Sequence, residues 1–115
     1  MSVTIYHNPK CSKSRQTLEL LQAKGIQPVI VEYLKEPPDK AALKKILRLL
    51  KLKPRDLMRK KEDVYKKAKL DREGLSDDAL ISAMIMHPVL IERPIVLANG
   101  KAAIGRPPEN VLEIL

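Results

Sequence analysis

Val3-Thr4-Ile5-Tyr6-His7-Asn8-Pro9-Lys10-Cys11-Ser12-Lys13-Ser14-Arg15 is the stretch on which the reading of this chain turns. A short alternating apolar run ends in a polar loop, and the loop passes straight into the helical pattern Thr17-Leu18-Glu19-Leu20-Leu21. Where a strand hands over to a helix, the first backbone N–H groups of the helix lack partners and face the loop, so that end attracts anions. The chain's one cysteine, Cys11, stands there beside Lys10, Lys13 and Arg15, with His7 a further neighbour. Such dipoles and cations favour a thiolate, so Cys11 is expected to ionise below the roughly 8.5 of a free cysteine and to act as a nucleophile in an oxyanion-binding loop. A lone cysteine is more often a small buried hydrophobe. Lysines, an asparagine, a proline and two serines around it are poor material for a packed core, which tips the reading towards chemistry. His7 says less by itself, because a single histidine at a strand end is commonly a hydrogen-bonded structural residue.

Outward from the loop, the helix is expected from about Ser12 to Lys24, with Leu18 and Leu21 inward and Gly25 as its left-handed stop. Pro28-Val29-Ile30-Val31-Glu32-Tyr33 reads as a second strand, apolar and buried almost throughout. Strand, helix and strand in such quick succession form a right-handed crossover, which makes the two strands parallel neighbours. Cys11 then lies at the carboxyl end of the first strand, where ligands of open α/β sheets bind. Glu36-Pro37-Pro38-Asp39 leads into a helix with Leu43, Ile46, Leu47 and Leu50 at helical spacing. Pro54 opens a short helix with Asp56 near its positive end, another turn or two covers Asp63 to Lys69, and Ser76-Asp77-Asp78 starts a helix with Leu80, Ile81, Met84 and Ile85 inward. His87-Pro88 stops it. Ile95-Val96-Leu97 and Lys101-Ala102-Ala103-Ile104 flank the hairpin signal Asn99-Gly100, and Gly105-Arg106-Pro107-Pro108-Glu109 opens a last helix whose Val111, Leu112 and Leu115 dock on the sheet. The expected organisation is a single α/β domain over residues 1–115: a βαβ half with the thiol loop (1–38), a helical insertion (39–86) and a ββα half (87–115), giving a four-stranded mixed sheet.

Composition bounds the function. With 115 residues, no Phe or Trp and three tyrosines, the core is aliphatic and aromatic platforms for stacking bases are nearly absent, which argues against nucleic acid as the partner. A net charge of +8 still favours an anionic partner. Ten of the 22 lysines and arginines fall between Lys51 and Arg72, but Glu62, Asp63 and Asp71 are interspersed, and the stretch reads as a solvated face. No zinc spacing, glycine-rich phosphate loop or recognition helix accompanies it, so no metal or bound cofactor is expected. No apolar run approaches the roughly 20 residues of a membrane span, and the N-terminus lacks a secretory layout, so the expected location is the cytoplasm. One cysteine cannot close an intramolecular disulfide. If Cys11 does redox chemistry, the second thiol comes from another molecule. Arg59, Arg93 and Arg106 lie at element ends, where binding groups concentrate, although each reads more readily as a solvated arginine on local sequence alone.

Several short motifs in order resemble the glutaredoxin-coupled arsenate reductase family, on a thioredoxin-like fold: Tyr6-His7-Asn8-Pro9, Cys11, Ser14-Arg15, Tyr33-Leu34 with Pro37-Pro38, Arg59-Lys60, His87-Pro88 to Ile91, Arg93-Pro94-Ile95-Val96 and Gly105-Arg106-Pro107. The resemblance implies Cys11 as nucleophile, His7 and Ser14 as groups that favour its thiolate, Arg59, Arg93 and Arg106 as oxyanion-binding arginines, and Pro94 as a cis proline flooring the thiol site. It implies arsenate as substrate, glutathione as co-substrate with no bound cofactor, and glutaredoxin as the partner that resolves a mixed disulfide on Cys11, with the chain acting as a monomer. Two other classes compete. Regulators of the Spx type share the fold and grip RNA polymerase without turnover, but usually carry C-x-x-C where this loop reads Cys11-Ser12-Lys13-Ser14. A glutathione-dependent thiol reductase acting on another substrate would use Cys11 without arsenic.

Overall fold

A computed structural model describes residues 2–115 of the chain. They fall into two compact units, one formed by residues up to Glu36 together with Arg93–Leu115, the other by Pro37–Glu92.

The first unit is built on a four-stranded sheet of β1 (Val3–His7), β2 (Val29–Glu32), β3 (Ile95–Ala98) and β4 (Lys101–Ile104) in the order β2-β1-β3-β4. β1 runs parallel to β2 and antiparallel to β3, and β3 and β4 form a hairpin. The sheet is therefore mixed, as the sequence indicates. Strand alternation puts Val3, Ile5 and His7 on one buried face of β1. Val96 and Ala98 sit opposite Ile5 and Val3 on β3 and extend that face. Against it pack Leu21 of α1 (Ser12–Ala23) and Val111 and Ile114 of a C-terminal 3-10 helix, Pro108–Ile114, closing a wholly aliphatic core. α1 stops as the sequence predicts: Gly25 takes φ of 78°, its N–H donates to Gln22 O at 2.9 Å, and the N–H of Ile26 reaches Leu21 O at 3.0 Å. The β3–β4 turn carries positive φ at both Asn99 and Gly100, the pair of conformations a tight hairpin with right-handed twist demands.

Two expectations change. β2 is not a buried strand: it lies at the sheet edge, and Val29 and Ile30 are 58% and 46% exposed. An apolar β-branched run records the propensity for a strand, whereas its place in the sheet depends on which strands arrive later in the chain. The last helix is 3-10 rather than α. Three residues per turn bring Pro108, Val111 and Ile114 to the buried side and leave Leu112 and Leu115 half-buried, so Ile114 takes the docking role that an α-helical spacing assigns to Leu112.

The second unit carries α2 (Lys40–Leu50), α3 (Pro54–Leu57), α4 (Asp63–Lys67), α5 (Asp77–Met86) and a 3-10 turn at Pro88–Leu90. Asp39 caps α2 by accepting the N–H of Ala42 at 2.7 Å, and Ser76 caps α5 through the N–H of Ala79 at 3.1 Å. Leu43, Ile46 and Leu47 of α2 are buried, as are Leu80, Ile81 and Met84 of α5; Leu50 and Ile85, expected inside, are only half-buried. Within the basic stretch Arg55 is not a solvated charge. Its guanidinium donates to Tyr65 Oη at 2.6 Å, Leu70 O at 2.7 Å and Arg72 O at 3.1 Å, tying the segment after α4 back to α3. Among the described residues no helix is long and apolar enough to cross a membrane.

Candidate active site

Cys11 is the N-cap residue of α1, in extended backbone conformation, and is half-buried. No formal side-chain cap hydrogen bond is made, but the N–H groups of the first turn still bias its ionisation. Burial is the largest single influence and opposes the thiolate; the N–H of Ser14, the guanidinium of Arg93 and the N–H of Lys13 act against it and together leave the thiol below its ordinary range. Arg106 also reaches the sulfur, with Nη2 at 3.5 Å from Sγ. Its Nε donates to Arg93 O at 2.8 Å, so the backbone of one arginine aims the side chain of the other. Both arginines reach the thiol because β3 and β4 are hairpin partners: Ile95 pairs with Ile104, and the residues flanking that end of the hairpin, Arg93 and Arg106, leave the sheet side by side. The Arg93–Pro94 peptide bond is cis, and so is Arg106–Pro107.

The helix's own loop is wired differently from the sequence reading. Lys10 is exposed, and Arg15 donates through Nη1 to Pro9 O at 2.9 Å, bracing the loop. The cations closest to the sulfur in chemical effect thus come from some eighty and ninety-five residues away, a separation read directly from Arg93 and Arg106. Lys13 contributes its backbone N–H to the thiol.

His7 lies on the buried face of β1 facing α1, so its ring meets Ser14, which is fully buried on the inner side of that helix. His7 Nδ1 and Ser14 Oγ are 2.6 Å apart, and Ser14 Oγ accepts the N–H of Asn8 at 3.0 Å. Burial is the main reason the His7 pKa falls below its ordinary value, Glu32 on the neighbouring strand pulls it up without overcoming burial, and Arg15 lowers it further. Burial thus favours the neutral imidazole, which keeps its hydrogen bond with the Ser14 hydroxyl. His7 reaches the thiol loop through Ser14, whose Oγ also accepts the Asn8 N–H.

That depressed pKa has a consequence for stability. The unfolded chain takes up a proton on His7 near 6.5 while the native state resists, so the contribution is whole above that pH and is lost as pH falls through the lower native value. Denaturant unfolding followed from pH 7.5 to 5 is expected to show stability declining on acidification, with a shallower decline in His7→Gln. Equal slopes for both proteins would place the pH dependence elsewhere.

Six of the residues singled out by sequence, His7, Cys11, Ser14, Arg93, Pro94 and Arg106, belong to the first unit, and the thiol loop and the β3–β4 hairpin bring them together. Arg59 belongs to the second. There its Nε contacts Glu62 at 3.3 Å and its Nη1 contacts Glu92 at 3.1 Å, and its N–H donates to Leu90 O. Sequence reasoning missed both carboxylates. Glu62, three residues after Arg59, was legible as a local helix-type pair; Glu92, thirty-three residues away, was not. Asn8 and Thr17 were also missed as working parts, although serine and threonine three apart on the inner side of a helix are polar groups that must find partners.

The site offers a half-buried, activated thiol against two guanidinium groups. It can attack an electrophilic centre that carries negative oxygens, and among the described residues it has no second thiol to complete a redox cycle.

The model of the ArsC family matches residues 6–114. An arsenate reductase of Neisseria meningitidis is 53% identical over 98% of this chain and 97% of its own length. A protein of Escherichia coli K12 whose function is not assigned is 57% identical over 98% of this chain and 96% of its own. Among solved structures, an arsenate reductase from Vibrio cholerae superposes with a TM-score of 0.97 at 57% identity, covering 100% of this chain and 98% of that one.

Proposed function

The chain belongs to the ArsC family, and we propose that it is an arsenate reductase that works through a covalent intermediate on Cys11 and draws its electrons from glutathione and glutaredoxin. The observation that carries the reading is the lowered Cys11 thiol held against Arg93 and Arg106. Arsenate is a negatively charged tetrahedral oxyanion near neutral pH, and a thiolate must approach its central atom. Two guanidinium groups that bind its oxygens cancel the repulsion and hold arsenic in line with the sulfur. Cys11 Sγ attacks arsenic, and an oxygen departs as water after taking up a proton. A glutathione thiolate then attacks the Cys11 sulfur, the electron pair of the S–As bond stays on arsenic, and arsenite leaves. Arsenic has gone from the pentavalent to the trivalent state, and two thiols have become one mixed disulfide. Since this chain has one cysteine, that disulfide is resolved from outside, and glutaredoxin is the protein suited to it.

Purified protein is expected to convert arsenate to arsenite when supplied with glutathione, glutaredoxin and a reductase to recycle them, and to stop after a single turnover without glutaredoxin, with one glutathione attached to Cys11 by mass spectrometry. Sustained turnover without glutaredoxin would remove it from the scheme. Deglutathionylation of proteins with no arsenate turnover would favour the thiol-reductase alternative.

A further inference from the structure

Gly105 follows the last residue of β4 and precedes Arg106, and it is buried. A side chain there has nowhere to go: a Cβ would lie 2.8 Å from Pro94 Cγ and 3.1 Å from Thr17 Cγ2, and nearer still to Thr17 Oγ1. Thr17 is fully buried on α1, where its hydroxyl donates to Lys13 O at 2.8 Å and lies 3.5 Å from Gly105 O. On the other side, the N–H of Gly105 donates to Pro94 O at 2.9 Å. The backbone that carries Arg106 is thus wedged between the helix that carries Cys11 and the proline that follows Arg93.

We propose that Gly105 and Thr17 form the seat that sets the distance between Arg106 and Cys11, making them positioning residues for the oxyanion site. Direct contact between the Gly105 backbone, just past β4, and the Thr17 side chain of α1 leaves Arg106 with Nε on Arg93 O at 2.8 Å and Nη2 at 3.5 Å from Sγ. Carbon atoms pack at roughly 3.5–4.0 Å, so a methyl group at 105 must push the strand end away by about 1 Å. A guanidinium already at 3.5 Å from the sulfur then loses the contact. The inference rests on the reading of Cys11 and Arg106 as reacting and binding groups.

The test is a double-mutant cycle of Gly105→Ala with Arg106→Ala, read in two assays: kcat/KM for arsenate, and the pH dependence of Cys11 alkylation by iodoacetamide. Gly105→Ala is expected to lower kcat/KM by about ten- to a hundredfold, the scale of a 1 Å misplacement, and to move the alkylation midpoint to higher pH. Adding it to Arg106→Ala should cost little more, because the group it positions is gone. Thr17→Ala, which removes the two Thr17 contacts and leaves only the Pro94 ring to give way, should restore part of the loss in Gly105→Ala. If Gly105→Ala does not fold by circular dichroism, Thr17→Ala alone carries the cycle, and its loss should likewise vanish on the Arg106→Ala background. A folded Gly105→Ala with wild-type alkylation and kinetics, or effects that simply multiply with those of Arg106→Ala, overturns the proposal. A wild-type protein that turns over no arsenate overturns the proposed function instead, and the alkylation cycle still decides the seat.

Discussion

Cys11→Ser is expected to lower arsenate reduction by at least about a thousandfold, to the background rate of glutathione with arsenate, while leaving the fold intact. The size follows from two losses that add on the reaction path. A serine hydroxyl stays protonated under conditions where the Cys11 thiol, held below its ordinary range by the Ser14 and Lys13 N–H groups and by Arg93, supplies its anion. An oxygen ester of arsenate also offers glutathione no sulfur to attack, so no disulfide can form to deliver the electron pair to arsenic. A thousandfold corresponds to about 4 kcal/mol of lost transition-state stabilisation. Stability should change little, because Cys11 is only half-buried and lies outside the aliphatic cluster of Val3, Ile5, Leu21, Val96 and Val111. Sulfate binding, read by isothermal titration, should survive the change, since Arg93 and Arg106 remain. Arsenite formation at more than a few per cent of wild type in Cys11→Ser would move the chemistry away from this residue.

The part of the site that sequence exposes is the part that is local. A β1 run, a polar loop and an amphipathic helix within the first quarter of the chain locate the thiol at a helix N-terminus, and both the strand and the helix stand where their periodicity puts them. Arg93 and Arg106 were marked by position at element ends, but that they meet at one sulfur follows only from hairpin pairing of β3 with β4, which local sequence indicates by Asn99-Gly100 without indicating how the hairpin sits beside β1. The exposure of Val29 and Ile30 was illegible for the same reason: strand order, not strand composition, makes an edge. In the last segment, Pro107 and Pro108 signalled a helical start, yet nothing in Val111-Leu112-Glu113-Ile114 distinguishes three residues per turn from 3.6, and that choice decides whether Leu112 or Ile114 docks on the sheet. The neutral state of His7 was beyond reach as well. It depends on burial under α1 and on Glu32 lying opposite across the β1–β2 pair.

Arg93→Ala and Arg106→Ala are each expected to lower kcat/KM for arsenate tenfold or more, the equivalent of about 1.4 kcal/mol or above for a charge-assisted contact. The two should not be alike. Either loss should move the alkylation midpoint upward, since the Arg93 guanidinium holds the thiol below its ordinary range and Arg106 Nη2 lies 3.5 Å from Sγ, but Arg93→Ala should show the larger shift, in kcat as well as KM. Arg106 is anchored by Nε on Arg93 O and touches sulfur with Nη2; lysine cannot reproduce that fork, so Arg106→Lys should behave closer to alanine than to wild type. Arg59→Ala should cost less than either. Its guanidinium is already engaged by Glu62 and Glu92 at 3.3 and 3.1 Å within the second unit. Unchanged kinetics in both Arg93→Ala and Arg106→Ala would mean that the oxyanion is bound elsewhere.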